Sequence, residues 1–136
     1  MTDFVNAARH SRDGRLLRNQ QREATADHLA GLAAECALKA ILGALGAWAG
    51  AQPQRPYRVH IDALWGQFLG YAHGPQARYL VPLSAHPSNP FVHWTIEHRY
   101  WNEGNIGTAA ELSARWAACE ACMLSLAHAQ ADGVVP

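Results

Sequence analysis

The stretch from His28 to Leu42 reads HLAGLAAECALKAIL, and its apolar residues run nearly all the way round a helical cylinder. A helix of that kind packs on several sides and belongs in the middle of a helical protein. Two charges interrupt it, Glu35 and Lys39, one turn apart. With His28 they fall at i, i+7 and i+11, a single polar seam along the cylinder. Facing water, the seam is an ordinary i,i+4 ion pair contributing about 0.3–0.5 kcal/mol. Facing the interior, each charge needs a partner, because an unpaired buried carboxylate costs several kcal/mol. The sequence pattern alone leaves both versions open.

Working outward, the periodicity predicts four helical segments. The first starts at Thr2 or Asp3 as N-cap and runs to about Gln20; the second covers roughly Arg22 to Ala47, weakening around Gly43 and Gly46. A loop with Pro53 and Pro56 follows. The third takes up at His60, where Ile61, Leu64, Trp65 and Phe68 recur at i, i+3, i+4, i+7, and stops near Gly74-Pro75. The fourth opens on a capping box, Thr108-Ala-Ala-Glu111, and carries the seam Leu112, Trp116, Cys119, Met123 and Leu126. Between the last two lies a long Pro-rich loop, Gly74 to Gly107, with Pro75, Pro82, Pro87 and Pro90 and then the dense run FVHWTIEHRYWNEGN. The fold class is all-α, in one domain spanning 1–136.

Composition limits the function. With 49% hydrophobic and 16% charged residues in 136, the chain buries a core without staples. No apolar run reaches membrane-spanning length, and the N-terminus MTDFVNAARH has no signal-peptide layout, so the expectation is a soluble cytoplasmic protein without membrane contact. Three cysteines without an export signal read as reduced thiols. Cys119-Glu-Ala-Cys122 lies on the core stripe with no second CxxC or close His pair to complete a tetrahedral set, so no metal and no cofactor is expected. Net charge is zero, yet residues 9–22 hold Arg9, Arg12, Arg15, Arg18 and Arg22 against Asp13, a local balance of +4. That stripe is either a solvated helix face or a phosphate-binding surface. Phe91, Trp94, Tyr100 and Trp101 exceed what one small bundle obviously buries, which predicts self-association through that region.

An N-terminal helix with a Leu-Leu pair, then HLAGLAAECALKAIL, then His60 opening IDALW, then His98-Arg99-Tyr100 before a last long helix resembles the HEPN domains (higher eukaryotes and prokaryotes nucleotide-binding). The resemblance covers about Phe4 to Ala129. It implies an up-and-down four-helix bundle, often a homodimer, in a family of metal-independent RNases and of inactive partners of small nucleotidyltransferases in defence and toxin-antitoxin systems. It also favours the buried version of the seam, with Glu35, Lys39, His60 and Arg99 lining one polar pocket and Tyr100, Asn102 and Asn105 beside it as binding groups.

Active members carry an arginine followed after four to six residues by a histidine. Arg99 stands at the arginine position, but 104–106 are Gly104, Asn105 and Ile106, and none is a general base. The expectation is therefore a non-catalytic binding or regulatory module for a nucleotide, RNA or a nucleotidyltransferase partner. The alternative is a divergent RNase with Arg99 and His98 as catalytic candidates, or with a histidine from a dimer mate.

Overall fold

The computed structural model describes Phe4, residues 7–71, 74–100 and 106–136, with the backbone alone at Arg99 and Tyr100. Four α-helices carry the described residues: α1 (Ala7–Asn19), α2 (Glu23–Ala44), α3 (Ile61–Tyr71) and α4 (Ala109–Ala131). Two 3-10 segments, Gly74–Ala85 and Ile96–Tyr100, lie between α3 and α4, and no strand occurs among the described residues. The fold is all-helical. A start for the first helix at Thr2 or Asp3 falls outside the described residues.

The helix α2 is the hub. It packs against α1, α3, α4 and the Ile96–Tyr100 segment, so almost every side of it is covered. Alanines at 26, 30, 33, 34 and 37 are fully buried, which lets neighbouring backbones approach closely, and Leu38, Ile41 and Leu42 fill the wider end. Against that end α3 lays the four residues of its i, i+3, i+4, i+7 stripe: Ile61, Leu64, Trp65 and Phe68, each 1% exposed or less. Phe91 tilts against Trp65 with ring centroids 5.9 Å apart. A smaller cluster of Ala26, Ala30, Ala33, Trp116 and Cys119 joins α2 to α4, with Leu17 of α1 against it.

The capping box at the start of α4 forms in both directions: the Thr108 hydroxyl accepts from the Glu111 N–H at 3.1 Å, and the Glu111 carboxylate accepts from the Thr108 N–H at 3.1 Å. The face that α4 buries is wider than a two-position seam. Leu112 and Met123 are only half-buried, while Arg115, Ala118, Cys122, Ser125 and Ala129 join Trp116, Cys119 and Leu126 in the interior. The reason is that α4 meets both α2 and the Gly74–Ala85 segment, and two partners need a broad stripe.

The expectation of a long irregular Pro-rich loop is corrected at its first third. Residues Gly74–Ala85 form a 12-residue 3-10 helix with Pro82 inside it. Runs longer than a turn or so are uncommon because 3-10 hydrogen bonds are poorly aligned. Tertiary contacts hold this one: Tyr79 and Leu83 are buried, the Tyr79 hydroxyl donates to Asp132 at 2.9 Å, and the Ser125 hydroxyl of α4 donates to the Tyr79 carbonyl at 2.7 Å. Proline's fixed φ near −65° suits 3-10 geometry, so Pro82 costs little there.

Candidate functional site

The polar seam of α2 is buried. Glu35 and Lys39 are each 8% exposed, and the Lys39 ammonium donates to Glu35 Oε2 at 3.0 Å. The other carboxylate oxygen, Oε1, lies 3.0 Å from His60 Nδ1. The position of His60 follows from local structure. Its carbonyl accepts from the N–H groups of Ala63 and Leu64 at the start of α3, so the ring is fixed where α3 meets α2. Both carboxylate oxygens are thus satisfied, which is what a buried carboxylate requires. The His60 side chain remains 52% exposed, so the cluster reaches solvent on that side.

Lys39 lies between this cluster and an open cleft. Its ammonium sits 5.7 Å from the ring centroid of Phe4. Phe4, Lys39, Gln52, Pro53 and Arg58 line a cleft of about 480 Å³, and Phe4 and Lys39 also border an adjoining apolar hollow of about 240 Å³ that includes Trp48 and Val135. An ammonium has three donors, and Glu35 takes one. A ligand in the cleft can therefore accept from Lys39 while Arg58 adds a second cation and the hollow takes an apolar ring. That arrangement suits an anion bearing a planar group. Among the described residues that line the cleft, none is a carboxylate or a histidine.

The remaining sequence candidates lie elsewhere. The side chains of Arg99 and Tyr100, and Asn102 and Asn105 entirely, lie outside the described residues. His98 is 1% exposed, with Nδ1 3.5 Å from Asp27 Oδ2. Burial, the larger effect, pulls the His98 pKa below its ordinary value of 6.5; the nearby Asp27 carboxylate acts against it. Phe91 and Trp94, expected at an association face, are fully buried within the chain. Trp94 stacks on His28, rings 5.8 Å apart and 11° from parallel, and donates from its indole N–H to the Asp27 carbonyl at 3.1 Å.

Sequence reasoning missed the Asp27–Arg115 pair. Arg115 is fully buried, donating from Nε to Asp27 Oδ1 at 2.7 Å and from Nη2 to the Ile106 carbonyl at 2.6 Å. Burial pushes the Asp27 carboxyl up from its ordinary value of 3.8, and Arg115 and His98 draw it back. A signal was available: position 115 shares the apolar face with 112, 116 and 119, and an arginine there needs a carboxylate opposite. The pair ties α2 to α4 and to the segment before α4, away from solvent, and its role is structural.

Burial raises all three thiols above their ordinary range, the half-buried Cys36 to about 11. Cys119 and Cys122 are fully buried; desolvation raises Cys119 to about 12 and Cys122 well above 9.0, so neither supplies a thiolate at neutral pH. Among the described residues no group of three His, Cys, Asp or Glu side chains could hold a metal ion, and no helix is long and apolar enough to cross a membrane. No protein-family model, no curated protein and no solved structure matches the chain.

Proposed function

We propose that the chain is a non-catalytic binding module of HEPN type, an up-and-down four-helix bundle that holds a nucleotide or an RNA end at the cleft beside Lys39. The observation that carries this reading is the buried Lys39–Glu35 pair, joined by the half-exposed His60 and opening past Phe4 and Arg58 to solvent. A buried ion pair contributes little net stability compared with apolar side chains of similar size, so an ammonium kept at the mouth of a cleft suits recognition. The module works in the cytoplasm as a homodimer, with a small nucleotidyltransferase of a defence or toxin-antitoxin system as its protein partner. Its dimer contact excludes Phe91 and Trp94, which the chain buries by itself.

A divergent metal-independent RNase is the weaker reading. Its base would be His98, and a ring 1% exposed and turned to Asp27 does not reach a 2′-hydroxyl.

Calorimetric titration with AMP, inorganic phosphate and a 5′-phosphorylated RNA oligomer tests the proposal. AMP or the RNA end binds wild type more tightly than phosphate does, and Arg58→Ala and Lys39→Met each weaken binding by roughly ten-fold or more, the value of one charged hydrogen bond. Arg58 is exposed, so its variant keeps the fold even where Lys39→Met loosens it. Absence of binding by all three ligands rejects the reading. Cleavage of a mixed RNA pool in EDTA, abolished by Arg99→Ala, replaces it with the RNase.

A further inference from the structure

A second hollow lies outside the Lys39 cleft. An open groove of about 590 Å³ runs between α1 and α4, lined by Ala8, Ser11, Arg12, Arg15, Leu16 and Met123. Its charge is one-sided. Arg9, Arg12, Arg15 and Arg18 lie along α1, and among the described residues only Arg15 has a carboxylate within ion-pair distance, Glu120 at 3.7 Å. Both members of that pair are about 60% exposed, so a competing carboxylate displaces Glu120 readily. Arg18 lies over the Trp116 ring at 5.5 Å, which holds one end of the row in place.

Apolar side chains share the lining with the arginines. Leu16 is 58% exposed and Met123 is half-buried; outside that lining, Leu124, one turn beyond Glu120 on α4, is 49% exposed. Arginines beside an exposed leucine and a methionine define the complement: an apolar ridge flanked by carboxylates. An amphipathic helix laid in a groove supplies that from residues at i, i+3, i+4 and i+7. Nucleic acid would use the arginines but leave Leu16 and Met123 unpaired, and among the described residues lining the groove none is an aromatic that a base could stack on. A second copy of this chain does not supply free carboxylates from its α4. Glu111 is committed to the α4 cap, Asp132 to Tyr79 and Arg78, and Glu120 to Arg15.

We propose that the α1–α4 groove docks an acidic amphipathic helix of a partner protein, with its apolar ridge on Leu16 and Met123 and its carboxylates on Arg12 and Arg15. The site is separate from the Lys39 cleft and stands or falls independently of it.

Fluorescence anisotropy with a labelled helical peptide of about 18 residues, five turns long, tests this. The probe carries leucines at i, i+3, i+4, i+7 and glutamates on both flanks; a glutamine version and a single-stranded RNA of similar length serve as comparisons. The acidic peptide saturates the full-length protein. Binding falls about ten-fold or more in the glutamine peptide, in Arg12→Glu/Arg15→Glu and in Leu16→Ser, and in about 1 M salt, where charges are screened within ~3 Å. All three substitutions are at exposed positions, and an unchanged helical circular dichroism signal confirms that the fold is kept. No saturable binding up to about 1 mM peptide overturns the proposal, as does binding indifferent to the Arg12, Arg15 and Leu16 changes. RNA bound more tightly than the peptide, and lost in Arg12→Glu/Arg15→Glu, makes the groove a nucleic-acid surface instead.

Discussion

Gly31 shows how a single missing side chain positions a segment. It lies in the middle of α2, where glycine costs roughly 0.5–1 kcal/mol relative to alanine. A Cβ built there would stand 2.2 Å from Cε2 of Trp94 and 2.4 Å from its Cζ2 and Nε1. The indole therefore lies flat against the helix backbone, where its N–H reaches the Asp27 carbonyl one turn earlier. Gly31→Ala should lower stability by about 1–3 kcal/mol through overpacking, despite alanine's better helix propensity. Urea unfolding checks it: a midpoint equal to or above wild type would mean that Trp94 has another way to lie. From the sequence Gly31 looks like one more small residue in an alanine-rich helix; only its neighbour across space gives it a role.

At the scale of elements, three helices end in the same way. After α1, the Arg22 N–H reaches back to the Leu17 carbonyl at 2.9 Å and the Gln21 N–H to Arg18 at 3.0 Å; after α2, Ala47 bonds Leu42 and Gly46 bonds Gly43; after α4, Val134 bonds Ala129 and Gly133 bonds Gln130. This paired pattern requires a left-handed residue at the turn. Gly46 and Gly133 take φ of 89° and 75°, but after α1 the position is Gln21, at φ 61°. A side chain with a Cβ costs roughly 1–2 kcal/mol there. Gln21→Gly should therefore raise stability by about 0.5–1 kcal/mol, after the extra freedom of glycine in the unfolded chain is subtracted, read as a higher urea midpoint at constant slope. The sequence marked the weakening of α2 around Gly43 and Gly46 and the capping box of α4, because those are local chemistry. It did not show that Gly74–Ala85 coils as a 3-10 helix, since that geometry depends on the contacts of Tyr79 and Leu83 with the rest of the chain.

Across the whole molecule, Asp27, Arg115 and His98 join α2, α4 and the connection between them in one buried polar contact. Its dependence on pH follows from His98. A histidine held below 6.5 in the fold binds fewer protons than it does when unfolded, so its contribution is complete above pH 6.5 and is lost as pH falls through the folded value. His10, also lowered by burial, acts with the same sign. Asp27, raised by burial, acts with the opposite sign, so the comparison that isolates His98 keeps Asp27 in place. Stability should decline on acidification below pH 6.5, and His98→Gln should flatten that decline. Urea midpoints between pH 8 and pH 5, about the span over which histidine changes charge, decide it: a His98→Gln slope as steep as wild type would remove His98 from the account.

The α2 stretch determined the helical class of the protein by itself, because a period of 3.6 residues and an all-round apolar surface are properties of a chain segment before it meets any other. The α3 stripe and the Thr108–Glu111 box were legible for the same reason. For the polar seam, the sequence posed the question without answering it. Whether Glu35 faces water or the interior depends on which helices surround α2, and His60, 25 residues away, becomes its partner only when α3 packs there. Asp27 and Arg115, 88 residues apart, are further still from any local rule. A charge's energy is set by the solvent around it and the counter-charge beside it, and both are supplied by distant parts of the chain, so the tertiary structure alone decided which charges are buried and how each is paired.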